Sequence, residues 1–273
     1  MSEEILRDRL WMWGQDTGCW HKPHVASWNL PGVNRMGPME AGREFDIPNC
    51  CRVVVDSSPR PPFDAASAEL ADYKRVIWSV VGDCGSSRND DGGDDLEEVL
   101  RQADRFPNVV GGVLDDFFRA KSGDARIAPE RLAEIARRLH AHPRNLQLWV
   151  VFYAALFGTG DYTPWLNLTD GITFWSWDSA ELARADENLQ RIIEMTPGKE
   201  HYAGCYIYNF GDCRPLTAQE MERQLELYTA RMLNGTLDGI IICGSPAADL
   251  ELEAVNVLRG WLRECGSLKM PKR

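Results

Sequence analysis

Six aspartates follow apolar segments of the chain, and their carboxylates are candidates for acid–base chemistry. They are Asp16, Asp56, Asp83, Asp115, Asp116 and Asp178. Because burying a charge is costly, a carboxylate at the end of a buried segment lies at a solvent-exposed rim or in a site built for it. In the clearest case, residues 109–116, four apolar residues and two glycines lead directly into Asp115 and Asp116. This pattern predicts a buried strand that ends at the mouth of an active site.

Eight apolar segments are predicted to be strands, and helical segments separate most of them. The predicted strands are residues 10–16, 51–56, 75–83, 109–116, 146–153, 171–178, 204–210 and 239–244. A strand and a helix repeating about every thirty residues are typical of a parallel sheet. The 273 residues therefore predict an α/β chain with a single domain, residues 1–273, folded as a (β/α)8 TIM barrel. Residues 17–49 are predicted to form a long first βα loop.

A doubly wound open sheet is the alternative to the barrel. It usually carries a glycine-rich phosphate-binding turn, with the spacing GxGxxG, after its first strand. Residues 13–18 read Trp-Gly-Gln-Asp-Thr-Gly and lack that spacing, which favours the barrel.

Charge and composition argue against several kinds of partner. The net charge is −11, and no cluster of Lys and Arg interrupts the acidic excess, so neither nucleic acid nor an anionic membrane is an expected partner. No segment has the apolar length of a membrane span. The N-terminus lacks the pattern of a signal peptide, and the eight cysteines form no CxxC pair. A cytoplasmic protein with reduced thiols is expected.

The active site of a barrel lies at the carboxyl ends of its strands, where this sequence places aromatic residues beside the acids. Carboxylates accept hydrogen bonds from neighbouring hydroxyls, and flat aromatic faces pack on sugar rings. The pattern predicts a small carbohydrate as ligand. The predicted substrate-binding residues are Asp16, His21, Trp28, Asp56, Tyr153, Trp177 and Asn209.

Three segments resemble the strand ends of glycoside-hydrolase-type (β/α)8 barrels. They are residues 111–118 at the fourth strand, 174–178 at the sixth and 206–210 at the seventh. Such barrels often place carboxylates at strands four and six, or four and seven. Because strand seven ends in Asn209 and not in Glu, the resemblance is to the four-and-six arrangement of alpha-galactosidase-like barrels. It implies a hydrolase of glycosidic bonds.

Glycosidic cleavage uses two carboxyl groups, one as acid and one as nucleophile or base. Adjacent residues of a regular strand point to opposite faces, so Asp115 and Asp116 cannot readily form the pair while both remain in the strand. One of them is therefore predicted to be the nucleophile or base, with Asp178 as the acid.

Structural roles are the alternative for several of these side chains. Aspartate at a strand exit often caps the next helix, and Asp83 is interpreted in this way. Asp178 and Glu181 fit a capping box. Trp175 and Trp177 share one strand parity, so both side chains could instead pack against the helices.

Two other functions fit the same rim. A metal-dependent sugar isomerase, epimerase or lyase would use His21 and His24 together with Asp16, Asp56 or Asp115. A carbohydrate-binding barrel without catalysis would use the aromatic residues alone. The acidic run 89–95 lacks the spacing of an EF-hand and is interpreted as a solvated approach to a helix. We therefore predict neither a metal nor a cofactor.

Overall fold

A computed structural model describes residues 3–22, 28–90 and 92–272 of the chain. Eight parallel strands close into a barrel in the order β1-β2-β3-β4-β7-β8-β9-β10, and β10 pairs with β1. The strands are β1 Leu10–Gly14, β2 Asn49–Arg52, β3 Arg75–Val81, β4 Val109–Leu114, β5 Phe118–Arg119, β6 Asp124–Ala125, β7 Gln147–Tyr153, β8 Gly171–Trp175, β9 Glu200–Tyr206 and β10 Gly239–Cys243. Strands β5 and β6 form a short antiparallel hairpin after β4. The predicted α/β TIM barrel is confirmed.

Helices connect most of the barrel strands. They are α1 Pro38–Phe45, α2 Asp64–Glu69, α3 Leu96–Arg105, α4 Pro129–His140, α5 Thr163–Leu166, α6 Ser179–Ala183, α7 Ala185–Met195, α8 Ala218–Leu233 and α9 Glu253–Cys265. Helix α4 buries Leu132, Ile135 and Leu139, whose spacing places them on one face. A capping box formed by Thr217 and Glu220 starts α8. No helix of the described residues is long and apolar enough to cross a membrane.

Large aromatic side chains fill the interior of the barrel. Trp11 of β1 and Trp149 of β7 lie on strands that are not neighbours, yet their ring centroids are 4.8 Å apart. Tyr202 stacks on Trp149 at 4.0 Å. Trp175 occupies the space above Gly204, where a Cβ atom would overlap the indole ring. The barrel is therefore a packed core at this level.

Several predicted element bounds differ from the observed ones. The second strand covers Asn49–Arg52, and residues 53–55 lie buried beyond it. The seventh covers Glu200–Tyr206, earlier in the chain than predicted. The predicted first loop, residues 17–49, contains α1, which begins at Pro38, and the first residue of β2, Asn49. Proline is well suited to the first position of a helix because its missing N–H has no partner there in any case.

Candidate active site

A cavity of about 790 Å³ lies at the carboxyl ends of the barrel strands. Five aspartates and a set of large aromatic residues line it. The aspartates are Asp56, Asp83, Asp90, Asp115 and Asp116; the aromatic residues are Trp13, Trp20, Trp28, Phe118, Tyr153, Trp175, Trp177, Tyr206 and Phe210. A mainly apolar cavity with a few converging polar groups is the usual form of a small-molecule site.

Asp115 and Asp116 both line this cavity because neither belongs to a regular strand. Strand β4 ends at Leu114, and Asp116 adopts a left-handed backbone conformation with φ of 42°. The alternation of faces therefore stops before the two acids. The backbone N–H of Asp116 donates to Oδ1 of Asp115 at 2.9 Å. The two carboxyl groups consequently face the same space.

The surroundings of the two carboxyl groups differ. Asp115 is only 5% exposed. Burial, then the negative charges of Asp116 and Asp83, raise its pKa well above the ordinary value, which favours the protonated form. Asp116 is half-buried, and its carboxylate accepts hydrogen bonds from the Tyr153 hydroxyl at 2.8 Å and from the Cys84 backbone N–H at 3.0 Å.

Asp83 is the third carboxyl group of this cluster. Its Oδ1 accepts hydrogen bonds from the Asp56 backbone N–H at 2.9 Å and from the Ser86 hydroxyl at 2.6 Å. Burial raises its pKa. The sequence interpretation of Asp83 as a structural residue therefore omits its place in the cavity wall.

Arg126 holds the loop that carries Asp83 and was not singled out from the sequence. Its guanidinium donates to the carbonyl oxygens of Gly82 at 2.5 Å, Asp83 at 3.0 Å and Ser86 at 3.3 Å. The side chain also pairs with Asp90 at 3.3 Å. No local pattern marks Arg126, because its partners lie about 40 residues earlier in the chain.

A continuous wall of aromatic rings lines the cavity from the side of β8 and β9. Trp177 stacks on Phe210 with centroids 5.7 Å apart, and Trp28 meets Phe210 edge-on at 5.0 Å. Trp175 contacts Tyr206 at 5.0 Å. Trp175 and Trp177 thus line the cavity and do not belong to the helix layer.

The structure brings six of the predicted site residues together in the cavity wall. They are Asp56, Asp115, Asp116, Trp28, Tyr153 and Trp177. Trp13 and Tyr206, which the sequence prediction omitted, also line it. Both lie at or near the last residue of a barrel strand, so their position in the strand is the signal that could have found them.

Three predicted substrate-binding residues lie outside this wall. Asp16 is held by the buried Arg52 and by the Ser58 hydroxyl at 2.5 Å. The His21 Nε2 atom lies 3.0 Å from the Gly32 carbonyl oxygen. The buried Asn209 donates its amide to Ser179 at 2.8 Å and to Asp212 at 2.9 Å. These contacts tie the surrounding loops together.

Asp178 also lies outside the cavity, in the position that the capping alternative requires. Strand β8 ends at Trp175, and Asp178 is the N-cap of α6. Its Oδ1 accepts the Glu181 backbone N–H at 2.8 Å, and Glu181 accepts the Trp177 N–H at 2.7 Å. These contacts match the capping alternative for Asp178 and give no support to its predicted role as the acid of the site.

The described residues contain no group of three or more His, Cys, Asp or Glu side chains arranged to hold a metal ion. His24 and Asp91, which belong to the metal alternatives, lie outside the described residues.

Comparison of the sequence finds no matching family model and no matching curated protein. Solved structures share the fold. A Bacteroides thetaiotaomicron protein assigned as an alpha-L-fucosidase aligns with a TM-score of 0.60 and 12% identity, over 97% of this chain and 98% of that chain. Active domain 2 of the thermostable chitinase from Pyrococcus furiosus aligns with a TM-score of 0.57 and 10% identity, over 89% of this chain and 85% of that chain. The Bacillus cereus spore cortex-lytic enzyme SleL aligns with a TM-score of 0.56 and 9% identity, over 99% of this chain and 76% of that chain.

Proposed function

We propose that this chain hydrolyses glycosidic bonds of a small carbohydrate in the cavity at the carboxyl end of the barrel. One observation carries the proposal: two carboxyl groups, Asp115 and Asp116, share one cavity but have different surroundings. When two acids have different surroundings, their pKa values differ, so that one can serve as the proton donor and the other as the carboxylate. The solved structures named above include glycosidases, which agrees with this assignment.

In the proposed reaction, Asp115 donates its proton to the glycosidic oxygen as the bond to the anomeric carbon breaks. Asp116 acts at that carbon in one of two ways. By direct attack it forms a glycosyl ester, which water then cleaves while Asp115 takes a proton from that water and Asp116 is released. Alternatively, Asp116 takes a proton from the water that attacks the anomeric carbon, and that proton returns to Asp115 through solvent. In both routes water supplies the hydroxyl group of the new hemiacetal. Tyr153 and the Cys84 N–H hold the Asp116 carboxylate in place.

The aromatic wall would bind the sugar ring. Trp28 and Trp177 offer rings to its apolar face, and Asp56 accepts from its hydroxyls. Asp16, His21 and Asn209 are left out of the proposed contacts, because their side chains are engaged outside the cavity.

The test is hydrolysis of a panel of aryl glycosides by single variants. We expect Asp115→Asn and Asp116→Asn each to lower kcat/KM by about 10²–10⁴-fold, the range for loss of a positioned acid or base. Both substitutions are nearly isosteric, so the melting temperature should not fall. Proton NMR of the first product anomer would show whether configuration is retained or inverted.

Asp178 and Asp161 provide matched controls. Asp178→Asn should keep both activity and stability, because Asn and Asp cap helices about equally, whereas Asp178→Ala should lose about 1 kcal/mol with activity retained. Asp161, exposed on the same side of the barrel, hydrogen-bonds the Thr163 N–H at 3.0 Å, and Asp161→Asn should be fully active. Full activity of both cavity variants, or inactivity of Asp178→Asn, would contradict the proposal.

A further inference from the structure

The negative charge in the cavity wall exceeds the positive charge. Two arginines, Arg119 and Arg126, accompany the five aspartates, and the described lining residues include neither lysine nor histidine. Arg126 is buried and donates to three backbone carbonyls. Arg119 is half-exposed and lies 3.9 Å from Asp124 on the hairpin. Neither cation is therefore aimed at the centre of the carboxylate cluster.

Three of the five aspartates have no ion-pair partner among the residues that the structure describes. Asp56 pairs with Lys22 at 3.2 Å and Asp90 with Arg126 at 3.3 Å. Within the described ranges, no Lys, Arg or His forms an ion pair with Asp83, Asp115 or Asp116. Oδ2 of Asp115, which is 5% exposed, also has no hydrogen-bond partner among those residues. The cluster therefore offers acceptors with which no cation of the described part of the chain is paired, and Arg126 acts on Asp115 only from beyond ion-pair distance.

The aromatic wall lies beside this cluster and also opposite to it. Trp177 contacts the ring of Tyr153 at 6.2 Å, and the Tyr153 hydroxyl donates to Asp116. Phe210 follows β9, which lies across the barrel from β3, the strand that precedes Asp83. The cation–π contacts of the described residues involve Trp11, Phe45, Phe63, Trp78 and Phe157, none of which lines the cavity. Ring faces next to carboxylates are a favourable environment for a ligand cation.

We propose that the cavity prefers sugars that carry a protonated amino group, and that Asp83 binds the ammonium. The proposal rests on the function proposed above, which gives a carbohydrate as the ligand, and it adds that this carbohydrate carries a positive charge. Asp83 has this role because Asp115 and Asp116 are assigned to bond cleavage. An ammonium in place of a hydroxyl turns a hydrogen bond that has only a charged acceptor, the Asp83 carboxylate, into one between two opposite charges, which is stronger. Partial burial of the cluster reduces the screening of that attraction.

Calorimetric titration with matched ligand pairs tests this inference. The probes are methyl 1-thioglycosides, which resist hydrolysis, of glucosamine and glucose, galactosamine and galactose, and mannosamine and mannose. Members of a pair differ only by an amine or a hydroxyl on the same carbon. We expect at least one amino sugar to bind tenfold or more tightly than its hydroxyl partner. Asp83→Asn keeps the Oδ1 acceptor for Asp56 and Ser86, and should remove most of that preference, whereas Asp161→Asn should leave it unchanged.

Equal or weaker binding of the amino sugar in all three pairs overturns the inference, and so does absence of binding by every ligand. Retention of the full preference in Asp83→Asn overturns the role of that residue. The outcome is separable from the proposed function. Cleavage of neutral aryl glycosides without an amino-sugar preference removes only the inference, and selective amino-sugar binding without cleavage of any glycoside removes only the proposed hydrolysis.

Discussion

Asp115 and Asp116 are adjacent in the chain but sit in unlike surroundings. Asp115 lies at the end of a buried strand among other carboxyl groups, with Arg126 as the cation that partly offsets them. Asp116 adopts a left-handed backbone conformation and accepts hydrogen bonds from Tyr153, at the end of β7, and from Cys84, in the loop after β3. A change of backbone conformation between adjacent residues is thus enough to give Asp115 surroundings that favour its protonated form and Asp116 surroundings that supply hydrogen-bond donors to its carboxylate.

The raised pKa of Asp115 has a consequence for stability. Folded Asp115 retains a proton that the unfolded chain releases above its ordinary pKa of 3.8. Its contribution to stability is therefore complete below that pH and declines as the pH rises towards the raised pKa. Asparagine has no such proton, so the free energy of unfolding of Asp115→Asn relative to wild type should increase between about pH 4 and about pH 7. Denaturant titration at both pH values measures this.

Asp161→Asn should show the opposite sign. Hydrogen bonds from Thr163 lower the pKa of Asp161, so the wild-type carboxylate contributes stability above its unfolded pKa and loses it as the pH falls. The variant should therefore become less stable, relative to wild type, as the pH rises. A pH-independent difference for Asp115→Asn would show that its carboxyl group titrates normally.

At the scale of elements, the site depends on the contact between two loops. The β3–α3 loop carries Asp83, and the segment after the β5–β6 hairpin carries Arg126, whose guanidinium donates to three carbonyls of that loop. Because buried carbonyls need partners, Arg126 fixes the path of the loop. We class it as a positioning residue.

Arg126→Met should destabilise the protein by at least about 2 kcal/mol, because it leaves several buried carbonyls without a donor. Arg126→Lys should recover part of this loss, since an ammonium still donates. Thermal melting measures the effect, and loss of activity should follow it through displacement of Asp83. Arg119→Met is the control: Arg119 is half-exposed, and its Nη1 lies 3.4 Å from the Ala125 carbonyl oxygen, so its melting temperature should change little. Equal melting of both Met variants would count against the role of Arg126.

The sequence predicts the strands better than their limits. The apolar run 53–55 looks like the continuation of β2, but its residues are buried without joining the regular strand. Conversely, β9 begins with Glu200 and His201, whose polarity hid the start of the strand. Hydrophobicity reports burial, and strand bounds follow hydrogen-bond pairing; the two coincide only in part. The β5–β6 hairpin, with strands of two residues, has no periodicity to detect.

At the scale of the molecule, wide rings inside the barrel require glycines beside them. A methyl group on Gly204 would overlap the Trp175 ring. Gly204→Ala should therefore cost about 1–3 kcal/mol, as other overpacked cores do, and should lower activity because Trp175 lines the cavity. Gly260, inside α9, meets only Arg263 Nη2 at 4.0 Å, so Gly260→Ala should stabilise by about 0.5–1 kcal/mol. Chemical denaturation of both variants tests this, and equal stability of the two would refute it.

The barrel also explains which parts of the site were predictable. Counting strand–helix units places every strand end on one rim, so Asp56, Asp115, Asp116 and Tyr153 were found from position alone. The position of a residue at the rim does not specify the direction in which its side chain points. Asp178 sits at the same rim but turns back to cap α6, and Asp83 turns towards the cavity. Local turn geometry decides between these outcomes. The capping pattern of Asp178 and Glu181 indicated one of them in the sequence, whereas no local pattern indicates the direction of Asp83.

The aromatic wall has a practical consequence. Trp13, Trp20, Trp28, Trp175 and Trp177 line the cavity, and they are half of the ten tryptophans in the chain. Indole emission depends on the polarity around the ring, so a ligand that displaces water from this cavity changes the environment of a large share of the fluorophores. Intrinsic fluorescence is therefore a label-free reporter of occupancy, and sugars can be screened by it before any product of the reaction is known.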